Sequence, residues 1–293
     1  MIRALTSFIF LFVFCGLASA QTSREIDIFD RALDEMRAGD WRDALILAEG
    51  AGPVARDIIE WHRLRAGLGD FDAVQGFLTR RPDWPGLRLL RRESEEALPI
   101  GARPNEVIAF FGGRLPQTGA GEVALVEAYR ALGQPADAEA EAVRAWLTQI
   151  LSASDESALL ARYGEVLAQH HIDRLDMLVW RNARVTAERM YPRVPAGYRK
   201  LAAARLALRA DRDGVDSLIA AVPKSLTDDP GLAFERMQWR ARKGRNEDAI
   251  SLMLDRTPDA LGDPGRWASW RRGLARSEMR AGRADRAYRV ASE

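Results

Sequence analysis

The sequence predicts an all-α fold, an α-solenoid or superhelix of antiparallel helix pairs with divergent, tetratricopeptide-like repeats. Apolar residues recur three or four positions apart, and no stretch alternates convincingly with a period of two. A short phrase also occurs five times: a glycine two or three residues after an arginine, then an alanine five or six residues further on. The five pairs are Gly39 with Ala44, Gly67 with Ala73, Gly133 with Ala138, Gly244 with Ala249, and Gly282 with Ala287. A helical hairpin that repeats along a chain is typical of a solenoid.

Each phrase predicts the end of one helix and the start of the next. Glycine tolerates the left-handed backbone that closes a helix, and an arginine in the preceding turn suits the negative end of the helix dipole. A polar residue soon after the glycine, such as Asp40 or Asn246, can cap the following helix. The alanine lies one turn into that helix, where its small side chain lets two helices pack closely.

Prolines predict further helix boundaries, because proline cannot continue a helix but can occupy its first turn. Between the boundaries we expect helices of about 10 to 18 residues joined by short connections. The following dipeptides are each expected to end one helix or open another: Gly52-Pro53, Arg81-Pro82, Trp84-Pro85, Arg103-Pro104, Leu115-Pro116, Gln134-Pro135, Tyr191-Pro192, Val194-Pro195, Val222-Pro223, Asp229-Pro230 and Asp263-Pro264.

Two regions of the predicted array are irregular. The stretch from Pro99 to Gly121 is rich in glycine and proline, and we expect a distorted joint within one superhelix there. The last predicted helix, 284–293, has no capping element, although the end of a repeat array normally needs one. This predicts that the natural protein continues beyond Glu293.

The first 20 residues have the pattern of a secretory signal peptide. Arg3 is followed by an apolar run over 9–17 and by Ala18-Ser19-Ala20, a cleavage site that places the cut before Gln21. The single cysteine, Cys15, follows a bulky residue, which disfavours a lipoprotein signal. The mature chain, 21–293, is then expected to be one cysteine-free α-superhelical domain, periplasmic or secreted. No other segment is apolar enough to span a bilayer, so we expect no stable membrane insertion.

Charge and motifs exclude several classes of function. A formal net charge of +1 gives no reason to expect a nucleic acid or an anionic membrane as a partner. Phosphate-binding loops and serine nucleophile motifs are absent, and His62, His170 and His171 lack the spacing of metal ligands. We therefore expect no cofactor, no metal and no catalytic residue. Arginines one turn from acids, such as Arg91 and Glu95, are expected to form solvated ion pairs.

Tryptophan supplies the candidate binding contact. The chain has eight tryptophans, and most lie at helical spacing among leucine and alanine, which predicts a place in the core or between helices. Trp267 and Trp270 are three residues apart, with Arg266, Arg271 and Arg272 around them. Aromatic rings can stack on sugar rings, so we predict a glycan contact at Trp267 and Trp270.

Several segments together resemble the soluble lytic transglycosylases of Gram-negative bacteria, particularly their α-proteobacterial forms. Their order and combination are more specific than any one of them, and the likeness extends over about 26–293. The segments are FLTRRPDWPGL (77–87), RLDMLVWR (174–181), GVDSLIAAVP (214–223), DPGLAFER (229–236), WRRGLAR (270–276) and AYRVAS (287–292).

This resemblance implies a ring-forming N-terminal α-superhelix followed by a C-terminal lysozyme-like domain. In the family, that domain cleaves the MurNAc–GlcNAc bond of peptidoglycan and leaves a 1,6-anhydro-muramyl end. Its catalytic glutamate lies in a Glu-Ser pair, followed by a glycine-rich stretch that ends in Leu-Met-Gln. Here, Glu93-Ser94 and Glu156-Ser157 lack such a stretch, so no catalytic residue is carried over. We expect the chain to be the ring-forming part of a periplasmic transglycosylase, inactive alone, with glycan strands and its own C-terminal domain as partners.

Two alternatives stay open. The chain can be a stand-alone periplasmic scaffold of the tetratricopeptide type that binds protein partners. It can also be an independent enzyme with an unrecognised site, although the sequence offers no constellation of nucleophile or metal ligands for one.

Overall fold

A computed structural model of the chain describes residues 23–292, and the signal peptide predicted at 1–20 lies outside them. The structure is 75% helical, and the described residues form 17 α-helices and no strand. The predicted all-α, solenoid-like fold is confirmed. None of the described helices combines the length and the apolar character needed to cross a membrane.

The chain divides into two compact units, one ending at Ala97 and the other beginning at Leu98. The first unit contains five α-helices and a 3-10 turn at Glu95–Ala97. The helices are α1 (Ser23–Ala38), α2 (Trp41–Gly50), α3 (Pro53–Arg65), α4 (Phe71–Arg80) and α5 (Leu87–Glu93).

The second unit contains the other twelve α-helices, and 3-10 turns at Tyr191–Arg193, Lys224–Leu226 and Pro258–Ala260. The helices are α6 (Pro104–Phe111), α7 (Gly119–Ala131), α8 (Pro135–Thr148), α9 (Ala153–Ala168), α10 (His171–Trp180), α11 (Arg184–Arg189), α12 (Ala196–Arg209), α13 (Val215–Ala220), α14 (Pro230–Arg242), α15 (Asn246–Leu254), α16 (Pro264–Arg280) and α17 (Ala284–Ser292).

The five glycines of the repeated phrase close helices as predicted. Each has a left-handed backbone, with φ between 71° and 91°. The N–H of the residue after each glycine donates to the carbonyl five residues back, over 2.9 to 3.1 Å. This is the Schellman closure, which gives partners to carbonyl groups that the end of the helix leaves unbonded. It explains why the glycines recur along the chain.

A sixth helix end is closed in the same way, with asparagine in place of glycine. Asn182 has φ of 58°, and the N–H of Ala183 donates to the carbonyl of Leu178 over 2.9 Å. Five residues after Asn182, Ala187 is fully buried, as Ala44, Ala138 and Ala249 of the phrase are. Asparagine is the residue that most readily replaces glycine in this conformation. A search for glycine alone therefore misses the closure that ends α10.

The predicted packing alanines are buried at four of the five phrases. The exception is Ala73, which is half-buried because Phe71 and Val74 fill the core in α4 instead. The four buried alanines are Ala44, Ala138, Ala249 and Ala287.

The predicted side-chain caps at Asp40 and Asn246 are wrong. Asp40 precedes α2 with a ψ of 64° and makes no side-chain cap, and Asn246 is already the first residue of α15. A capping side chain needs an extended backbone to reach the first free N–H groups, and the Schellman closure does not leave one. Side-chain caps are instead made by Asp70, Thr118, Ser152 and Asp229.

The proline boundaries are confirmed, because every proline of the predicted dipeptides begins a helix, lies in its first turn or lies outside the α-helices. Helix lengths run from 6 to 17 residues, and four helices are clearly shorter than expected: the six-residue α11 and α13, the seven-residue α5 and the eight-residue α6. Each of the two six-residue helices is followed by a proline-containing connection within a few residues.

Arginines tie neighbouring helices together through buried carboxylates. In the first unit, Asp57 of α3 accepts hydrogen bonds from Arg80 at 3.3 Å and Arg81 at 2.7 Å. In the second unit, Glu122 of α7 pairs with Arg144 of α8. A buried ion pair adds little net stability, but removing one partner leaves a charge without compensation and is costly. These ties therefore favour one register between the helices they join.

Two further ties of this kind lie deeper in the second unit. Glu156 of α9 accepts hydrogen bonds from Arg174 of α10 at 3.4 Å and from Arg189 of α11 at 3.1 Å. Glu235 of α14 is fully buried and pairs with Arg209 of α12. Arg209 thereby connects α14 to α12.

Candidate functional site

An open cleft of about 730 Å³ lies in the second unit, where α10, α12, α14 and α16 meet. Its volume is in the range of small-molecule and cofactor sites. Aromatic rings and arginines dominate its lining, and none of the lining residues is a carboxylate. The lining residues are Ile150, Trp180, Arg181, Asn182, Arg209, Phe234, Gln238, Arg266, Ser269 and Trp270.

Trp180 is half-buried and is the last residue of α10, two residues before the left-handed turn at Asn182. Its ring centroid lies 5.5 Å from that of Phe234 on α14. The guanidinium carbon of Arg205 lies 4.9 Å from the ring centre, and that of Arg266 lies 5.3 Å from it. Both distances allow cation–π attraction. Contacts from three other helices therefore hold the Trp180 ring in position.

Trp267 and Trp270, the two predicted contact residues, differ in exposure. Trp267 is fully buried, donates its indole N–H to the carbonyl of Leu261 over 3.0 Å and packs edge-on against Phe234. Burial leaves it no surface for a sugar ring, so it is a core residue in this structure. Trp270, almost one turn further along α16, is half-buried and lines the cleft. Of the predicted pair, Trp270 alone has surface to offer a ligand there.

Three arginines line the cleft, and they differ in their partners. Arg209 donates to the carbonyls of Val179 at 2.7 Å and Trp180 at 3.2 Å, besides its pairing with Glu235. Arg266 pairs with Asp263 at 2.7 Å. Arg181 is exposed, and its guanidinium forms no hydrogen bond or ion pair with the described residues. The cleft thus presents one guanidinium group with all its donors free.

Two of the buried carboxylates of the second unit, Glu122 and Glu156, are held by arginines outside this cleft lining. The pKa of Glu122 is raised to about 8. Burial causes this increase, the Arg144 guanidinium opposes it, and the Glu141 carboxylate adds to it. Glu156, in one of the two Glu-Ser pairs, is buried between Arg174 and Arg189. A pairing arginine favours the charged carboxylate and occupies its oxygens. The cleft is suited to binding a ligand, and its lining supplies no carboxylic acid to protonate a glycosidic oxygen.

The other Glu-Ser pair lies in the first unit. Glu93 ends α5 and pairs with Arg92 at 3.1 Å, while Ser94 is buried and donates to the carbonyl of Leu90. The seryl hydroxyl is therefore engaged in the end of its own helix.

The described residues contain no group of three or more His, Cys, Asp or Glu side chains that could hold a metal ion. Burial, followed by the charge of Arg65, lowers the pKa of His62, and burial with Arg193 and Arg174 lowers that of His171. Both imidazoles are half-buried, and His171 lies against the ring of Trp146 at 5.6 Å. Lowered pKa values favour neutral rings that pack.

The residue that sequence reasoning missed is Trp180. It was grouped with tryptophans of the core, whereas the structure brings it to Trp270 in one cleft. The available signal was Trp180-Arg181-Asn182, an aromatic and a basic residue directly before a left-handed helix end. Comparison of the chain with protein-family models, with curated proteins and with solved structures gave no match.

Proposed function

We propose that this chain is the superhelical, glycan-holding part of a periplasmic peptidoglycan lytic transglycosylase. In this proposal the parent enzyme cleaves MurNAc–GlcNAc bonds to 1,6-anhydro-muramyl products in a C-terminal lysozyme-like domain. The chain frames that domain and holds glycan strands. The signal-peptide pattern at 1–20 supports a periplasmic location, and the segments that resemble the family support the assignment.

One observation carries the proposal: three of the resembling segments supply the aromatic residues of the cleft. Trp180 lies in 174–181, Phe234 in 229–236, and Trp270 begins 270–276. These segments are far apart in the chain, and the fold brings them together. A family-like pattern that converges on one cleft supports a role in ligand binding.

The chemistry of the cleft suits an amphipathic sugar. The apolar faces of a pyranose ring pack against aromatic side chains, while hydroxyl and N-acetyl oxygens accept hydrogen bonds from arginine. The guanidinium of Arg181 has all its donors free for this purpose. Binding energy obtained away from the reacting bond can position a glycan strand for cleavage elsewhere in the enzyme.

The test is sedimentation of purified peptidoglycan sacculi with the mature chain, 21–293. We expect the wild type to bind, and the double variant Trp180→Ala/Trp270→Ala to bind about tenfold or more weakly, because each aromatic contact contributes about 0.5–1.5 kcal/mol beyond its buried area. Trp239→Ala is the matched control, since Trp239 is also half-buried in this unit but bonds Asp211 outside the cleft.

Two results would count against the proposal. Either the wild type does not sediment with sacculi, or the double variant binds as well as the Trp239→Ala control does. Circular dichroism of each variant establishes that a loss of binding is not a loss of fold. The same samples are expected to cause no loss of turbidity of sacculi, and a loss that tracks protein concentration would contradict the expected lack of catalysis.

A further inference from the structure

A second open pocket, of about 520 Å³, lies elsewhere in the second unit, between α14, α15 and the turn that follows α15. Its lining includes three arginines: Arg236 and Arg240, one turn apart on α14, and Arg256, just after α15. None of its lining residues belongs to the cleft of Trp180 and Trp270.

The three arginines of this pocket have no carboxylate partner among the described residues, unlike the arginines that tie helices together. Arg240 donates to the carbonyl of Asp248 over 3.1 Å. Arg256 donates to the carbonyls of Asp228 at 3.3 Å and Ala260 at 3.0 Å. These bonds to the backbone orient the two guanidinium groups without neutralising them.

The guanidinium of Arg236 has neither a hydrogen bond nor an ion pair with the described residues, although the residue is half-buried. Burial, with the charges of Arg240 and Arg256, lowers its pKa. Like charges one turn apart on a helix repel each other, and partial burial weakens the screening by water. The cluster therefore carries an unfavourable charge that an anionic ligand would relieve.

The other charges of the pocket specify the kind of anion. Asp228 and Asp255 also line it, so the lining contains three guanidinium groups and two carboxylates, which together carry one positive charge. One carboxylate of a ligand balances that charge, whereas a phosphate dianion exceeds it. The Asp228 and Asp255 oxygens and the hydroxyl of Thr257 can bond amide N–H groups of the same ligand.

We propose that the pocket of Arg236, Arg240 and Arg256 binds a carboxylate group of a short peptide. Arginine recognises a carboxylate through two parallel N–H···O bonds, which adds geometric specificity to the charge. The volume of the pocket accommodates several atoms beyond the carboxylate, so neighbouring amides of the peptide lie within reach of the aspartates. This proposal is independent of glycan binding in the other cleft.

The test is isothermal titration calorimetry of the mature chain at low ionic strength with the tripeptide Ala-Glu-Ala. We expect binding that weakens at least about tenfold for Ala-Gln-Ala amide, which lacks both carboxylates, because a charge-assisted hydrogen bond contributes more than a neutral one. Inorganic phosphate is the third probe, and we expect it to bind more weakly than Ala-Glu-Ala.

The variants Arg236→Gln and Arg240→Gln are each expected to weaken binding of Ala-Glu-Ala at least about tenfold. Arg276→Gln is the matched control. This substitution also removes one positive charge, but Arg276 is exposed on α16 outside the pocket. Thermal unfolding establishes that each variant is folded.

The proposal is overturned if Ala-Glu-Ala does not bind, or if Ala-Gln-Ala amide or phosphate binds as tightly. It is equally overturned if Arg276→Gln weakens binding as much as Arg236→Gln, because binding would then follow net charge rather than this pocket.

Discussion

Gly231→Ala is expected to destabilise the protein, although replacing an exposed glycine in the interior of a helix by alanine normally stabilises a protein. Gly231 is the second residue of α14, and a methyl group added there would overlap the guanidinium of Arg205 on α12. Arg205 is 2% exposed, pairs with Asp176 and lies over the ring of Trp180. Space for Arg205, rather than backbone freedom, explains the glycine.

The expected magnitude is a balance of two terms. Alanine in place of glycine in a helix gains about 1 kcal/mol. Asp176 is half exposed, so the cost lies in the buried guanidinium of Arg205 itself: leaving a buried, charged donor without its hydrogen bonds costs about 3 kcal/mol or more. A small cavity of about 170 Å³ beside Arg205 gives the displaced guanidinium some room, which favours the low end of this cost. The cost of about 3 kcal/mol less the gain of about 1 kcal/mol gives an expected loss of about 2 kcal/mol of unfolding free energy.

The assay is urea unfolding followed by tryptophan fluorescence, with Gly273→Ala as the control. Gly273 lies in the interior of α16, is exposed and has no atom within 4 Å of an added methyl group, so this variant is expected to gain about 1 kcal/mol. The two substitutions therefore differ in sign. A Gly231→Ala protein as stable as the wild type, or more stable, would refute the reasoning about Arg205.

Two more predictions concern stability. Burial raises the pKa of Glu122 to about 8. Between the ordinary carboxyl pKa and pH 8, the folded state therefore holds one proton more than the unfolded state. The free energy of unfolding falls as the pH rises through that window, by up to about 1.4 kcal/mol per pH unit. Urea midpoints at pH 5 and pH 9 should therefore differ more for the wild type than for Glu122→Gln, and parallel profiles would contradict this. Trp267→Ala is expected to lower the free energy of unfolding by about 3–5 kcal/mol because the ring is fully buried, and Trp270→Ala to lower it distinctly less. Calorimetric unfolding of both variants measures the two losses. Similar losses would contradict the difference in burial.

The helix ends were predictable because their cause is local. Gly39 and the other glycines of the phrase close helices through bonds to carbonyls five residues away, so a short window of sequence contains the whole interaction. Asn182 makes the same closure and was missed only because the pattern was defined with glycine. A pattern stated as a backbone conformation, with asparagine allowed, includes it.

The cleft and the buried ion pairs were not predictable in this way. Arg205 and Gly231 meet from different helices, and nothing within one turn of either residue indicates the other. Glu95 illustrates the opposite error. It was expected in a solvated pair with Arg91, but it is 2% exposed because the chain leaves α5 and turns inward there. The charge pattern along a helix indicates which side chains can form an ion pair. Whether such a pair is buried depends on which part of the helix the following segments cover.

The arginine–carboxylate ties also bear on how the chain folds. Their partners are close in sequence: 22 residues separate Glu122 from Arg144, 26 separate Arg209 from Glu235, and 33 separate Glu156 from Arg189. Closing such short loops costs little chain entropy, and proteins with local contacts fold fast. Each helix pair can thus acquire its native register as soon as its second helix is available. The contacts that fix this register do not require the distant end of the chain, so they can form before the whole chain has been synthesised.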